Sequence, residues 1–80
     1  MAQERRHPIA VYFRKFEDGD VIALWDDGEG FGWVSSYQHV GQHSCAGVEL
    51  IIELAEATQH EYTPLLRELE SIGYDVTVIE

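Results

Sequence analysis

The feature that most restricts this fold is a hairpin near the start of the chain. Ile9 to Phe16 is rich in β-branched and aromatic residues, Val21 to Trp25 repeats that composition, and Glu17-Asp18-Gly19-Asp20 lies between them. Asp-Gly accepts the positive φ angles of a tight primed turn, whose twist matches that of the strands it joins. A two-residue turn at Asp18-Gly19 would set Phe13 opposite Leu24 and Tyr12 opposite Trp25. Phe13 and Leu24, with Val11 and Ile22, then form the core face. Tyr12, Phe16 and Trp25 are left on a second face too aromatic to stay bare, so part of it is expected to be covered.

The remaining elements build on that hairpin. Asp26 to Gly32 holds three glycines and three acids and reads as a loop; Trp33 to Gln38 reads as a strand, with a further loop behind it. Val48 to Leu54 reads as a short strand, with a helix over Gly47 to Ala57 as its rival because Leu, Glu and Ala also favour that state. Thr58 and Glu61 form a capping box, Tyr62, Leu65, Leu66, Leu69 and Ile72 recur at helical spacing, and Gly73 supplies a left-handed stop. Pro64 leaves two starting points: Gln59 with a distorted first turn, or Thr63 as cap of a shorter helix. Tyr74 to Ile79 alternates as a last strand. The expected architecture is α+β: a small antiparallel sheet of hairpin, further strands and C-terminal strand, with one helix of the C-terminal half packed on one face. Residues 1–80 read as a single domain with a flexible segment over 1–7.

Charge narrows the choice of partners. The 80 residues carry 15 Asp and Glu against 5 Lys and Arg, a formal net charge of -10. It is unevenly placed: Arg5, Arg6, Arg14 and Lys15 against Glu4 give residues 1–15 a balance of +3, while Arg67 against 14 acids gives residues 16–80 a balance of -13. Such a body repels phosphate backbones and anionic lipid, which argues against direct nucleic-acid or membrane binding and towards a basic protein surface. The densest acidic stretch is Glu17, Asp18, Asp20, Asp26, Asp27 and Glu29. It is the candidate binding surface, although turns also favour Asp for conformational reasons. With 45% hydrophobic residues the chain is too apolar for a disordered acidic tail.

Cys45 is the only cysteine, so no intramolecular disulfide can form, and the start of the chain lacks the apolar stretch of a signal peptide. These features lead us to expect a cytoplasmic protein. His39, His43 and Cys45 fall at even spacings, and an extended segment would bring all three to one side as zinc ligands, with a carboxylate to complete the set. That is the one cofactor the sequence suggests, and the suggestion is weak without a paired Cys-x-x-Cys. Cys45 or Ser44 beside a histidine would still need an orienting acid and an oxyanion site to act as a nucleophile. Gly28, Gly30 and Gly32 lie among acids that would repel a phosphate. No enzymatic activity is expected.

Val21-Ile22-Ala23-Leu24, Ser36-Tyr37-Gln38-His39-Val40-Gly41-Gln42-His43, Ala57-Thr58 and Glu68-Leu69-Glu70-Ser71-Ile72-Gly73-Tyr74 together resemble a family of small uncharacterised proteins of bacteria, bacteriophages and mobile elements. The specific part is the Ser36 to His43 motif, whose Tyr37, Gln38, His39, Gln42 and His43 form a candidate motif loop. The resemblance implies an origin in a bacterial or phage-infected cell and brings no catalytic residues. The leading expectation is a small acidic interaction protein, of the kind a phage uses to modulate a host protein, binding a basic surface and in the extreme case mimicking nucleic acid. A metal-binding module on His39, His43 and Cys45, and a structural homodimer, are the alternatives.

Overall fold

The computed structural model describes residues 7–26, 32–38 and 42–79, with 42 and 43 described by backbone alone. The described residues form six strands and two helices. They are β1 (His7–Lys15), β2 (Val21–Trp25), β3 (Trp33–Gln38), β4 (Gln42–Gly47), α1 (Glu49–Glu53), β5 (Ala55–Glu56), α2 (Gln59–Ile72) and β6 (Tyr74–Ile79). The sheet runs β4-β3-β2-β1, and β1's far edge is shared by β5 and β6. The α+β architecture is as expected, with one departure in direction. β5 lies antiparallel to Arg14 and Lys15, whereas β6 pairs parallel with His7 to Tyr12. His7, placed by sequence in the flexible leading segment, is the first paired residue of β1; residues 1–6 lie outside the described residues.

The first hairpin is offset by one residue from its expected register: Tyr12 lies opposite Leu24 and Phe13 opposite Ala23. The turn explains the shift. Phe16 N–H bonds to Asp20 O at 2.8 Å and Gly19 N–H to Phe16 O at 2.9 Å, so the loop has three residues, Glu17-Asp18-Gly19, rather than two. Gly19, at φ +96°, is the left-handed bulge residue that closes such a loop. Because side chains alternate between the faces of a strand, one step of register changes which residues share a core.

Two cores result, one on each face of the sheet. On the first, Ile9, Val11, Phe13, Ala23, Trp25 and Tyr37 pack under Leu65 and Leu69 of α2, with Tyr74, Val76 and Val78 of β6 beside them. Phe13 stacks on Tyr62 with ring centroids 4.5 Å apart. On the second, Ile22, Leu24 and Val34 pack with Tyr12 and Phe16 against Leu50, Ile51 and Leu54. Trp25 therefore belongs to the helix-covered core, and Ile22 and Leu24 to the opposite one. The second face is covered, as its aromatic content demanded.

What covers it is α1 and the residue after it: of the two readings, a strand over Val48 to Leu54 and a helix over Gly47 to Ala57, the structure takes the helix, over Glu49–Glu53. The helix wins because it brings Leu50, Ile51 and Leu54 to one side and leaves out Ile52, 85% exposed, with Val48 exposed at its cap. A strand would have divided the same residues between two faces. β4 occupies part of the stretch read as loop, paired with β3 from Trp33↔Gly47 to Gln38↔Gln42.

The last helix starts at Gln59. Thr58 caps it: its hydroxyl accepts from Glu61 N–H at 3.3 Å, and Glu61 Oε1 accepts from Thr58 N–H at 2.8 Å. Pro64 lies inside the helix, not at its first position, and removes the bond its N–H would have given to the carbonyl one turn back. Gly73, at φ +123°, ends the helix, its N–H reaching both Leu69 O and Glu70 O.

Candidate functional site

The acidic residues of the first turn meet a second acidic segment across an open groove. One wall is the β1–β2 turn, with Lys15, Phe16, Glu17 and Asp18; the other is the end of α1 and the start of β5, with Glu53, Leu54 and Ala55. Asp18 Oδ1 accepts from Asp20 N–H at 3.0 Å, which shapes the turn, and Glu17, Asp18 and Asp20 are all exposed. Glu53 is also exposed. Phe16 and Leu54, half-buried members of the second core, give the groove an apolar component between the carboxylates.

Both cations nearby are already engaged. Lys15 Nζ donates to Glu61 Oε2 at 2.7 Å, each side chain being 31% exposed, and this pair ties β1 to the first turn of α2. The Lys15 ammonium and, after it, the Thr58 backbone N–H hold the Glu61 carboxyl at about 2, below its ordinary 4.5. Arg14 is buried. Its Nε donates to Ile51 O at 2.7 Å, its Nη1 to Phe13 O at 3.1 Å, and its guanidinium lies 5.2 Å from the centre of the Tyr12 ring. A guanidinium held by backbone carbonyls and an aromatic ring joins α1 to the sheet, fixing the wall that carries Glu53 and Leu54.

Of the six acids singled out in the sequence, Glu17 and Asp18 line this groove, and Asp20 stands at the end of the same turn. Asp26 is exposed beyond Trp25; Asp27 and Glu29 lie outside the described residues. Glu53 and Leu54 are not singled out in the sequence, where the strand is preferred to the rival helix. Glu49 and Glu53, four residues apart beside Leu50, Ile51 and Leu54, were the available helical signal.

The motif loop does not assemble into a second site among the described residues. Tyr37 is buried in the first core, where its hydroxyl donates to Glu68 Oε1 at 2.8 Å, a tie between sheet and helix. Gln38 ends β3 opposite Ile22 and Gln42, while His39 is outside the described residues. His43 and Cys45 both lie in β4, two positions apart, and Cys45 is exposed. Among the described residues no group of three His, Cys, Asp or Glu is placed to hold a metal ion. Among those residues, too, no helix is long and apolar enough to cross a membrane. Compared with family models, curated proteins and solved structures, the chain matches none of them.

Proposed function

We propose that this chain is a small, non-enzymatic binding protein that takes a basic segment of a protein partner into the groove between the β1–β2 turn and the end of α1. The observation that carries this reading is the composition of the groove: Glu17, Asp18 and Glu53 surround Phe16 and Leu54, while Lys15 is paired with Glu61 and Arg14 is buried. A lysine or arginine suits such a place. Its aliphatic stem lies along apolar side chains and its charged head reaches the carboxylates. The charge balance of -13 over residues 16–80 points to a basic host protein as the partner class, nucleic-acid-binding enzymes included, and the resemblance carried by the Ser36 to His43 motif implies a bacterial or phage-infected cell as the setting.

The test is titration with a short Lys- and Arg-rich peptide, followed by calorimetry and by amide shifts. Binding is expected to perturb Phe16 to Asp20 and Glu53 to Ala55, and to weaken by about tenfold or more between low and high salt. Replacing Glu17, Asp18 and Glu53 together by Gln, Asn and Gln should abolish it. Neutralising Glu70 and Asp75, which lie elsewhere, changes net charge with no effect on the groove. If the two variants lose affinity equally, the peptide responds to overall charge and the groove reading is wrong.

A further inference from the structure

The end of the sheet away from that groove has a different character. Residues 31–48 form a run of eighteen without one Asp, Glu, Lys or Arg, in a chain that holds 15 acids and 5 bases elsewhere. The fold places the described residues of this run at one edge: β3 and β4 lie within it, and β4 is the terminal strand of the sheet. Val48 N–H bonds to Gly32 O, which continues the β3–β4 ladder by one pair. Since the two sides of a strand alternate, Gln42, Ser44 and Ala46 direct their backbone groups to β3, and His43, Cys45 and Gly47 direct theirs outward. Among the described residues no strand pairs with that outer edge. It lacks the charges, prolines and bulges that usually protect such an edge from other strands.

We propose that the outer edge of β4 pairs antiparallel with the same edge of a second copy, giving a continuous sheet across a two-fold axis. Charge selects this occupant and this edge. Two chains of net charge -10 repel each other wherever their acids meet, and β6, at the opposite end of the sheet, carries Asp75 as its second residue. The β3–β4 hairpin itself brings no carboxylate to the seam; the one beside it is that of Glu49, which folds over Gly47 at the end of β4. A two-fold contact needs a patch that complements itself, and a neutral strand edge does so. With Cys45 opposite its own copy, His43 meets Gly47 of the second copy, so all three outward residues find outward partners. Trp33, 56% exposed beside Gly47, adds an apolar flank.

Sedimentation of the full chain in reducing buffer tests the pairing. A dimer is expected at about 100 μM, its fraction rising as salt goes from ~0.01 to ~0.1 M, because screening relieves repulsion between the acidic bodies. Peptide binding at the groove weakens over the same change, so the two interfaces are read separately. Cys45→Ser keeps the dimer. Cys45→Glu and Cys45→Lys each place like charges face to face across the axis and sediment as monomers, and mixing the two in equal amounts restores the dimer as a mixed pair. Circular dichroism reports whether each variant is folded. A wild-type chain that stays monomeric in both salts overturns the proposal, as does a folded Cys45→Glu variant that dimerises like wild type or a mixture that stays monomeric.

Discussion

The two hairpins of the sheet are built alike and finished differently. β1 and β2 enclose a charged turn, and β1 is clad on both faces and along its far edge, by α2, by α1 and by β5 and β6. β3 and β4 are neutral, and β4 has a partner on one side only among the described residues. Acids are concentrated at the turn of the first hairpin and missing from the β4 edge, whereas β5 and β6 at the other end of the sheet carry Glu56 and Asp75. Carboxylates on a closed edge can serve recognition without disturbing the sheet, while an open edge invites another strand. The difference teaches that stability and self-association should respond to separate parts of the chain.

Mutation can break or sharpen that contrast. The largest effect is expected from Phe13→Ala, which empties a fully buried site stacked on Tyr62 and should cost about 3 to 5 kcal/mol by urea unfolding. Trp33→Ala on the other hairpin should cost about 1 kcal/mol or less. Equal losses would show that the second hairpin is as tightly held as the first. Next comes Arg14→Ala. It leaves Ile51 O without its donor and loosens α1, at a cost of roughly 2 to 4 kcal/mol, whereas Cys45→Ala, at an exposed position, should stay within about 0.5 kcal/mol of wild type. A smaller loss, about 1 kcal/mol, is expected for Thr58→Ala, which removes the cap that starts α2 beside the Lys15 end of β1.

The finest probe is acid. Glu61 has a folded pKa of about 2 against an ordinary 4.5, so its pairing with Lys15 contributes fully above pH 4.5. The contribution fades as pH falls towards 2, because the unfolded chain takes up the proton first. In Lys15→Met, NMR titration should find Glu61 closer to 4.5, and the stability gap to wild type should close across that same window. A gap that persists below pH 2 would mean that Lys15 acts through its packing instead.

How much of this the sequence disclosed depended on whether the deciding contact was local. The capping box at Thr58 and Glu61, the stop at Gly73 and the strand Trp33 to Gln38 involve near neighbours, and all were legible. The turn was legible as a turn, but Asp18-Gly19 suits both a two-residue loop and a three-residue loop with Gly19 as bulge, and that choice moved Trp25 and Leu24 to opposite cores. α1 depended on what Leu50, Ile51 and Leu54 would face, namely Leu24 and Ile22 from another part of the chain. β4, made of Gln, His, Ser, Cys, Ala and Gly, has little strand preference of its own and is held by β3. For the site, Glu17 and Asp18 could be read directly, while Glu53 joins them through the packing of α1 on the second core and the Arg14 bond to Ile51 O.

The parallel ladder of β1 and β6 also bears on how the chain reaches its native state. Each of its pairs, from His7↔Tyr74 to Tyr12↔Ile79, joins residues 67 positions apart. Such contacts offer nothing until the chain between them has been gathered, so their loop-closure entropy must be met late and all at once. Until then Ile9 to Val11, which lie beyond the Tyr12 to Lys15 pairing with β2, lack the strand partner that β6 brings. α2 leads directly into β6, so docking of the helix delivers the last strand. The time course of folding should therefore be set by that joint arrival, in the slower range of small mixed domains, and not by the hairpin that forms from neighbours.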